Sequence, residues 1–453
     1  MNIVVIGAGK VGTQIAIQLT KAGHSVVAVD NSRATLSALS DTEDIMCIEG
    51  SAVDYETQKE AGVSEADVVI ACTNSDEVNM LTCLLAKKHG AARTIARVRD
   101  PEYYDQLSYI TEDLGLSLAI NPEMSAADTM SRILLFPAAD GVDTFSKGKV
   151  EVINFTLEQD NPLIGKSLIQ ISQTYNVRVL ICAISRGGKA FIPTGSDILE
   201  AGDSIYIVAD HSQMISFFKK IDAFKSSVES VIIVGGGTTS YYLAKRLLAH
   251  GMTVKIIEKN EKRCDMLASE LPGALIVCAD GSSEEVLREE GIERADAFIA
   301  MTNFDEVNAI LSIFAKENGV EKVITKINTI SFSKMLKNIG VENIISPKSV
   351  TANQIVRYIR AMAASGESNA VESLSRLVED QVEALQFIIR DDMDYIGVPL
   401  KELKIKKGYL IASITRGRKP LIPGGNDCIS IGDSVVVITT ETDTQNFGDI
   451  FEK

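Results

Sequence analysis

Twice in this chain a short apolar run breaks directly into a glycine-rich turn. Ile3–Ile6 leads into Gly7-Ala8-Gly9-Lys10-Val11-Gly12, and Val231–Val234 leads into Gly235-Gly236-Gly237-Thr238-Thr239-Ser240. The spacing persists at roughly 230 residues beyond the turns, which marks an internal duplication. Thr73-Asn74-Ser75-Asp76-Glu77-Val78-Asn79 returns as Thr302-Asn303-Phe304-Asp305-Glu306-Val307-Asn308, and Ile192-Pro193 returns as Ile422-Pro423. The chain must therefore fold as two similar halves, and its function must use both.

In each half, short apolar segments alternate with helix-length stretches. In the first half these are Ile3–Ile6, Val26–Val29, Asp67–Cys72, Thr94–Val98 and Leu116–Ile120. That rhythm predicts an α/β fold: a Rossmann-like, doubly wound parallel sheet. Beyond Phe136-Pro137 the pattern changes to apolar–polar alternation, in Lys149–Leu157, Val177–Ser185 and Ser204–Val208, as expected of a small α+β unit. Gly187-Gly188 between two such runs suits a two-residue hairpin turn. The expected order is large–small–large–small, with domains at 1–139, 140–226, 229–367 and 368–453 and a linker at Ser365-Gly366-Glu367-Ser368-Asn369.

A chain of 453 residues with 45% hydrophobic residues has ample material for several cores. Its formal net charge of −16 opposes binding to nucleic-acid phosphates or anionic lipid surfaces. No apolar run approaches the length that spans a bilayer, so a cytoplasmic protein with no direct membrane insertion is expected. The seven cysteines form no Cys-x-x-Cys pair, and Cys72 and Cys278 fall in apolar strand-like runs, so they read as buried core thiols. Four histidines without metal-ligand spacing give no support for a dedicated metal site.

The glycine turn has the context that dinucleotide binding needs: a strand before, a helix after, and Asp30 at the end of the second strand. Gly7 permits the tight turn, Gly9 lets the backbone approach a pyrophosphate, and Gly12 allows close helix–sheet packing, with Lys10 and Val11 completing the cradle. Asp30 would accept from a ribose diol and disfavour a 2′-phosphate, so NAD(H) or an adenine nucleotide such as ATP or ADP is expected rather than NADP. Gly50 and Ser51 follow the third strand, where adenine contacts lie, and Thr73 and Asn74 begin at the carboxyl edge of the fourth. Asp76 and Glu77 read either as ligand contacts or as caps of the next helix. Arg97 and Arg99 could neutralise phosphate or form exposed ion pairs.

The second copy offers Gly235, Gly237, Thr238, Thr239, Glu258, Asp280, Gly281, Thr302, Asn303 and Lys326 at the matching places. It departs from the pattern at Ser240, which stands where the third glycine belongs, and at Asn328, which replaces Arg99. It is either a second competent site or a structural duplicate. Helix starts are expected at Asn121-Pro122-Glu123 and Ser346-Pro347-Lys348, where the acid of the first becomes a base in the second.

No histidine recurs between the halves and no nucleophile elbow appears, so no catalytic residue is assigned. The alternative, an NAD-dependent oxidoreductase, would need a proton donor beside the nicotinamide. In the small units Arg186/Arg416, Lys189/Lys419, Asp197/Asp427 and Asp203/Asp433 recur, and turn geometry is the reading given to the aspartates.

Taken together, Gly7–Gly12 with Asp30, Thr73–Asn79, Ala96-Arg97-Val98-Arg99-Asp100-Pro101-Glu102-Tyr103, Ile192-Pro193 with Gly202-Asp203, and their second-half counterparts resemble the regulator-of-potassium-conductance (RCK, or KTN) family in its two-copy form. The resemblance covers essentially the whole chain. It implies two Rossmann-like RCK-N domains, each followed by a small RCK-C domain. It further implies a homo-oligomer, a tetramer, forming a ring on the cytoplasmic face of a potassium-translocating membrane subunit of the Trk type. NAD(H), ATP or ADP would bind the large domains and change the ring's shape, and cyclic di-AMP binds the small domain in some relatives. By the same resemblance Glu123 would lie near the nucleotide phosphates through a bridging cation, whereas Lys348 would meet phosphate in the second half without one.

Overall fold

The computed structural model describes the chain except residues 42–43, 112, 137–140, 146–149, 223–227, 329–335, 337–340, 342, 365–370, 379–380, 391–392, 418, 442–443, 445 and 453. The expected linker and the three domain boundaries fall on or beside these segments, so the boundary positions lie outside the described residues.

The first large lobe is a six-stranded sheet of β1 (Asn2–Ile6), β2 (Ser25–Asp30), β3 (Met46–Glu49), β4 (Val68–Ala71), β5 (Arg93–Arg97) and β6 (Leu118–Ile120). Its strands lie in the order β3-β2-β1-β4-β5-β6 and all pair in parallel. The chain crosses back over the sheet after β3 to lay β4 beside β1, which pairs with β2 on one side and β4 on the other. That break is the topological switch point, where such sheets leave a crevice at their carboxyl ends. Helices α1 (Lys10–Lys21), α2 (Arg33–Ser40), α3 (Tyr55–Glu60), α4 (Asp76–Lys88), α5 (Pro101–Ile110) and α6 (Pro122–Leu135) connect the strands. Their starts are set locally: the Ser75 side chain accepts the Val78 amide, Asp100 accepts the Glu102 amide ahead of Pro101, and Asn121 Oδ1 accepts the Met124 amide at 2.8 Å.

The second large lobe repeats the sheet with β12 (Ser230–Val234), β13 (Thr253–Glu258), β14 (Leu275–Cys278), β15 (Ala297–Ala300), β16 (Lys322–Lys326) and β17 (Asn343–Ile345), in the order β14-β13-β12-β15-β16-β17. Its helices are α9 (Thr238–Ala249), α10 (Glu261–Glu270), α11 (Glu284–Glu289), α12 (Asp305–Glu317) and α13 (Pro347–Ala364). The two large lobes form one compact unit. Across their junction Asn121 Nδ2 donates to the Tyr242 hydroxyl at 2.9 Å, Ser125 donates to Gln354 at 3.0 Å, Gln18 donates to Asn353 at 3.1 Å, and Asp128 pairs with Arg246.

The small lobes form the other unit. Each has a five-stranded antiparallel sheet, in the order β10-β9-β11-β8-β7 for β7 (Gly141–Phe145), β8 (Val150–Thr156), β9 (Leu180–Arg186), β10 (Lys189–Phe191) and β11 (Ser204–Ala209). Helices α7 (Leu168–Tyr175) and α8 (His211–Lys220) belong to this first small lobe. The second sheet runs β18-β19-β22-β20-β21, from β18 (Val371–Leu377), β19 (Val382–Ile388), β20 (Tyr409–Arg416), β21 (Lys419–Leu421) and β22 (Ser434–Thr439). Gly187 and Gly188 both have positive φ, 57° and 78°, and join Arg186 to Lys189 as the expected two-residue hairpin. One apolar cluster draws on both small sheets, including Val152, Tyr206, Ala384 and Val436, so each lobe completes the other's core. Asp197 and Asp427 cap their own turns, accepting the Thr194 and Gly424 amides, but the other recurring pair does more than turn the chain. Asp203 is fully buried and takes Arg186 bidentately at 2.7 and 2.8 Å, and Asp433 takes Arg416 in the same way at 2.9 and 2.7 Å.

One expectation fails among the cysteines. Cys72 is buried as expected, but Cys278 is exposed, because it ends β14, the edge strand of its sheet.

Candidate nucleotide-binding site

The first glycine turn is built around three different constraints. Gly7 has φ +99°, and a Cβ there would lie 2.7 Å from the backbone of Cys72 and Thr73. A Cβ on Gly12 would fall 1.8 Å from the Gly7 carbonyl oxygen, so the close approach of α1 to the turn depends on its absence. Gly9 caps α1 and has open space where a side chain would be, with nothing within 4 Å. An open helix N-terminus with unsatisfied amides is the feature that accepts a pyrophosphate.

A cavity of about 380 Å³ opens here, lined by Gly7, Gly9, Asp30, Gly50, Ser51, Thr73 and Asn74, all expected from the sequence. Asn31, Ala52, Val53, Ser75 and Val78 also line it and were not expected. Asn31 follows the acid directly and Ala52-Val53 follow Gly50-Ser51, so adjacency was the available signal. Lys10, Val11, Gly12, Arg97, Arg99 and Glu123 are not among the lining residues.

Asp30 already has backbone work. Its Oδ2 accepts the Ala8 amide at 2.7 Å and its Oδ1 the Ser32 amide at 2.8 Å, which ties the glycine turn to the end of β2. Each carboxylate oxygen keeps a further lone pair for a ribose hydroxyl. Gly50 is also needed for packing, since a Cβ would lie 2.4 Å from the Thr57 hydroxyl.

The repeated Thr-Asn-x-Asp-Glu-Val-Asn segment is mainly a staple. Asn79 Oδ1 accepts both the amide and the hydroxyl of Thr73 at 2.7 Å, and its Nδ2 donates to the Arg97 carbonyl at 2.9 Å. Asp76 does not cap α4, because Ser75 does. Its Oδ2 instead accepts the Arg99 and Asp100 amides at 2.7 and 2.8 Å. Glu77 accepts from the hydroxyls of Ser75 and Tyr103. Asn308 and Asp305 repeat the first two arrangements against Thr302, Lys326 and Asn328.

Arg97, Arg99 and Glu123 cluster beside this staple. Arg97 is buried, Arg99 donates to the Asn74 carbonyl at 2.5 Å, and the buried Glu123 Oε2 and Arg97 Nε have no hydrogen-bond partner. Burial raises the Glu123 carboxyl above its usual range, against the opposing pull of Arg97 and Arg99. Lys326, of the second lobe, is held below its usual range by burial, with the charges of Asp305 and Glu123 working the other way. Glu123 therefore acts electrostatically across the lobe junction as well as within its own lobe. Lys348 does the same in reverse: after burial, the largest influence lowering it is Lys10, on the first glycine turn. Lys348 therefore feels charges from both halves, Lys10 of the first glycine turn and Asp305 of the second lobe.

The second turn keeps the backbone of the first with altered fittings. Gly235 has φ +101°, and Gly237 caps α9 with open space where a side chain would be, nothing lying within 4 Å. Ser240 is buried, and its hydroxyl donates to the Gly235 carbonyl, the equivalent of the oxygen that a Cβ on Gly12 would strike. Glu258 reaches the Gly236 amide at 2.7 Å, and where the first copy has Ala8 a Cβ on Gly236 would lie 2.7 Å from Leu267 and 3.0 Å from the Glu258 side chain. Thr238 and Thr239 open α9. Asp280 is held below the usual carboxylate range by Ser282, and a Cβ on Gly281 would meet the Val234 side chain at 2.5 Å. Thr302 is engaged by Asn308, Asn303 follows it, and Lys326 Nζ donates to the Met301 carbonyl at 3.1 Å. Arg263 Nε donates to the Gly236 carbonyl at 2.6 Å, a contact that the sequence pattern does not announce.

Fold and turns define a tandem Rossmann protein of the RCK type, with a small antiparallel lobe after each cradle. The TrkA-N domain matches residues 3–122 and 231–347, and the TrkA-C domain matches 152–222 and 385–452. The chain is 35% identical over 453 residues, the whole of both chains, to a Trk system potassium uptake protein TrkA homolog of Archaeoglobus fulgidus. It is 30% identical to the Trk system potassium uptake protein TrkA of Vibrio alginolyticus, covering 96% of this chain and 95% of that one. The chain belongs to the TrkA family of Trk system potassium uptake proteins. Among solved structures, the GsuK RCK domain has the same fold with a TM-score of 0.63 at 18% identity, covering 97% of this chain and 92% of that one. The GsuK channel bound to NAD gives 0.64 at 18% identity, covering 97% and 77%.

Proposed function

We propose that this chain is a nucleotide-controlled regulatory subunit that gates a Trk-type potassium-translocating membrane subunit. The observation that carries this reading is the open N-terminus of α1 at Gly9, set beside a cavity floored by Asp30 and the Gly50-Ser51 loop. NAD(H), ATP or ADP fits there: the α1 amides with Gly7 and Gly9 would hold the phosphates, Asp30 the ribose, and Ala52 and Val53 would flank the base. The relatives' names supply potassium uptake, and GsuK has been solved with NAD and with ADP. No helix among the described residues is long and apolar enough to cross a membrane, which is consistent with a peripheral subunit held at the cytoplasmic face by its partner.

Four chains would place eight large lobes in one ring. A nucleotide that binds two ring shapes with tenfold different affinity biases them by about 1.4 kcal/mol per site, and sites in one ring add. Small changes at each cradle then suffice to shift the whole. The domain division at 139/140, 226/229 and 367/368 is part of this reading, and cyclic di-AMP is carried as a ligand of the small lobes. Calorimetry with NADH, NAD, ATP, ADP and cyclic di-AMP on the purified chain tests binding, and co-purification with the membrane subunit tests partnership. Absence of nucleotide binding to the wild type, or steady NADH oxidation dependent on a carbonyl substrate, would remove the regulatory reading and favour an oxidoreductase.

A further inference from the structure

The second large lobe carries two thiols that its fold brings together. Helix α10 starts from the Asn260 cap and turns Cys264 inward, where it is buried and its Sγ donates to the Glu258 carbonyl at 3.2 Å. Glu258 pairs in register with Cys278, the last residue of the edge strand β14. One residue at the end of β13 thus stands beside both cysteines, near enough for the Cys278 thiol to act on Cys264. Cys264 is buried while Cys278 is exposed, so one sulfur is open to reagents and the other waits behind it. The first lobe has Leu36 and Glu49 at the equivalent positions, the fourth residue after the helix cap and the end of the edge strand, so the repeat's fold does not require the pair. Among the described residues no group of three or more His, Cys, Asp or Glu could hold a metal ion, which leaves the thiols' own chemistry.

We propose that Cys264 and Cys278 form a redox-active dithiol that low-molecular-weight disulfides oxidise to a disulfide within the second large lobe. The Cys278 thiolate attacks one sulfur of the reagent, its S–S bond breaks, and one reagent thiolate leaves and takes up a proton. The Cys264 sulfur, after losing its proton to solvent, attacks the Cys278 sulfur of the mixed disulfide and expels the second reagent thiolate, which is protonated in turn. Two protein thiols lose two electrons and two protons, and one reagent disulfide becomes two thiols. Burial and the adjoining Cys278 thiol raise Cys264, so the second step accelerates as pH rises. The bond would join the start of α10 to the end of β14, one residue from Arg263, which holds the second glycine turn at Gly236.

The test treats the full chain with glutathione disulfide, blocks remaining thiols, and maps peptides by mass spectrometry without reduction. The wild type should lose two free thiols and yield a Cys264–Cys278 linked peptide two hydrogens lighter than the reduced pair. Cys264→Ser should stop at a stable glutathione adduct on Cys278, and Cys278→Ser should leave Cys264 unmodified. A wild type that stops at the Cys278 adduct, that joins Cys278 to another cysteine, or that leaves Cys278 unreacted overturns the proposal. The readout does not depend on nucleotide binding, so its result stands apart from that of the regulatory reading.

Discussion

The Asp30 carboxylate accepts the Ala8 amide at 2.7 Å, binding the end of β2 to the second residue of the glycine turn. Glu258 and Gly236 repeat that bond at the same length with a longer acid and a smaller neighbour. An acid placed to meet a ribose is thus first a brace that holds the cradle ready for it.

Asp30→Ala should therefore lower stability as well as affinity. Leaving the Ala8 and Ser32 amides without their acceptor costs about 1–3 kcal/mol, read as a reduced thermal midpoint, and nucleotide affinity should fall about tenfold or more. Asp30→Asn retains one acceptor oxygen and should recover part of the stability. Unchanged affinity in Asp30→Ala would take the carboxylate out of the site.

The two third-position residues of the turns are not interchangeable. Gly12→Ala drives a Cβ into the Gly7 carbonyl and should destabilise the first lobe by more than about 2 kcal/mol. Ser240→Gly loses one hydrogen bond to Gly235 and should cost about 1 kcal/mol. Denaturant titration of the two variants checks the order, and equal losses would show that the second helix does not use its serine as described.

Lys348 feels the charge of Lys10 on the first glycine turn, and we propose that it acts on that cradle. Lys348→Ala should reduce the preference of that cradle for triphosphate over diphosphate by up to about fivefold, since exposed charge contacts are worth about 1 kcal/mol or less. Calorimetry with ATP and ADP provides the measurement; an unaltered ratio would return Lys348 to its own half.

Glu123 gives a pH signature. Its folded carboxyl titrates above the ordinary value of 4.5 because burial disfavours the charge, so the folded state binds its proton more tightly than the unfolded chain. That stability is fully present below the unfolded value and lost as pH rises through the folded one. Stability of Glu123→Gln measured from pH 4 upward should lack this decline, and a superimposable profile would contradict it.

Breaking a small-lobe pair should also lower stability. Asp203→Ala removes the bidentate acceptor of Arg186 and the acceptor of the Glu200 amide, while Arg186 keeps Glu200 and the Ile198 carbonyl, at a cost of about 1–3 kcal/mol. A thermal midpoint close to wild type would assign the aspartate to the turn alone.

The strand order and the hairpin at Gly187-Gly188 are legible in the sequence because both rest on local rules: apolar runs broken by helix-length spacers, and glycines at positive φ. The cradle is legible because Gly7, Gly9 and Asp30 stand at a fixed spacing in a strand–turn–helix context, even though Asp30 reaches back to Ala8. Strands β7 and β10 leave little pattern because they are short and only partly alternating. Asp76 reads as a cap or a ligand contact because it begins a helix at the sheet's carboxyl edge, yet its partners are amides more than twenty residues on. The Asn121–Tyr242 and Asp128–Arg246 contacts leave no periodic trace, because they join one repeat to the other. Lys348 shows the same limit: the repeat points to one cradle, whereas it feels charges from both halves.

The central claim is tested most directly by potassium flux through proteoliposomes that contain the membrane subunit together with the full-length chain. Flux should change on addition of NADH, ATP or ADP and should lose that response with Gly9→Asp, which places a carboxylate in the open space at the start of α1. Flux that ignores every nucleotide in the wild type, or that responds equally in Gly9→Asp, would contradict the account.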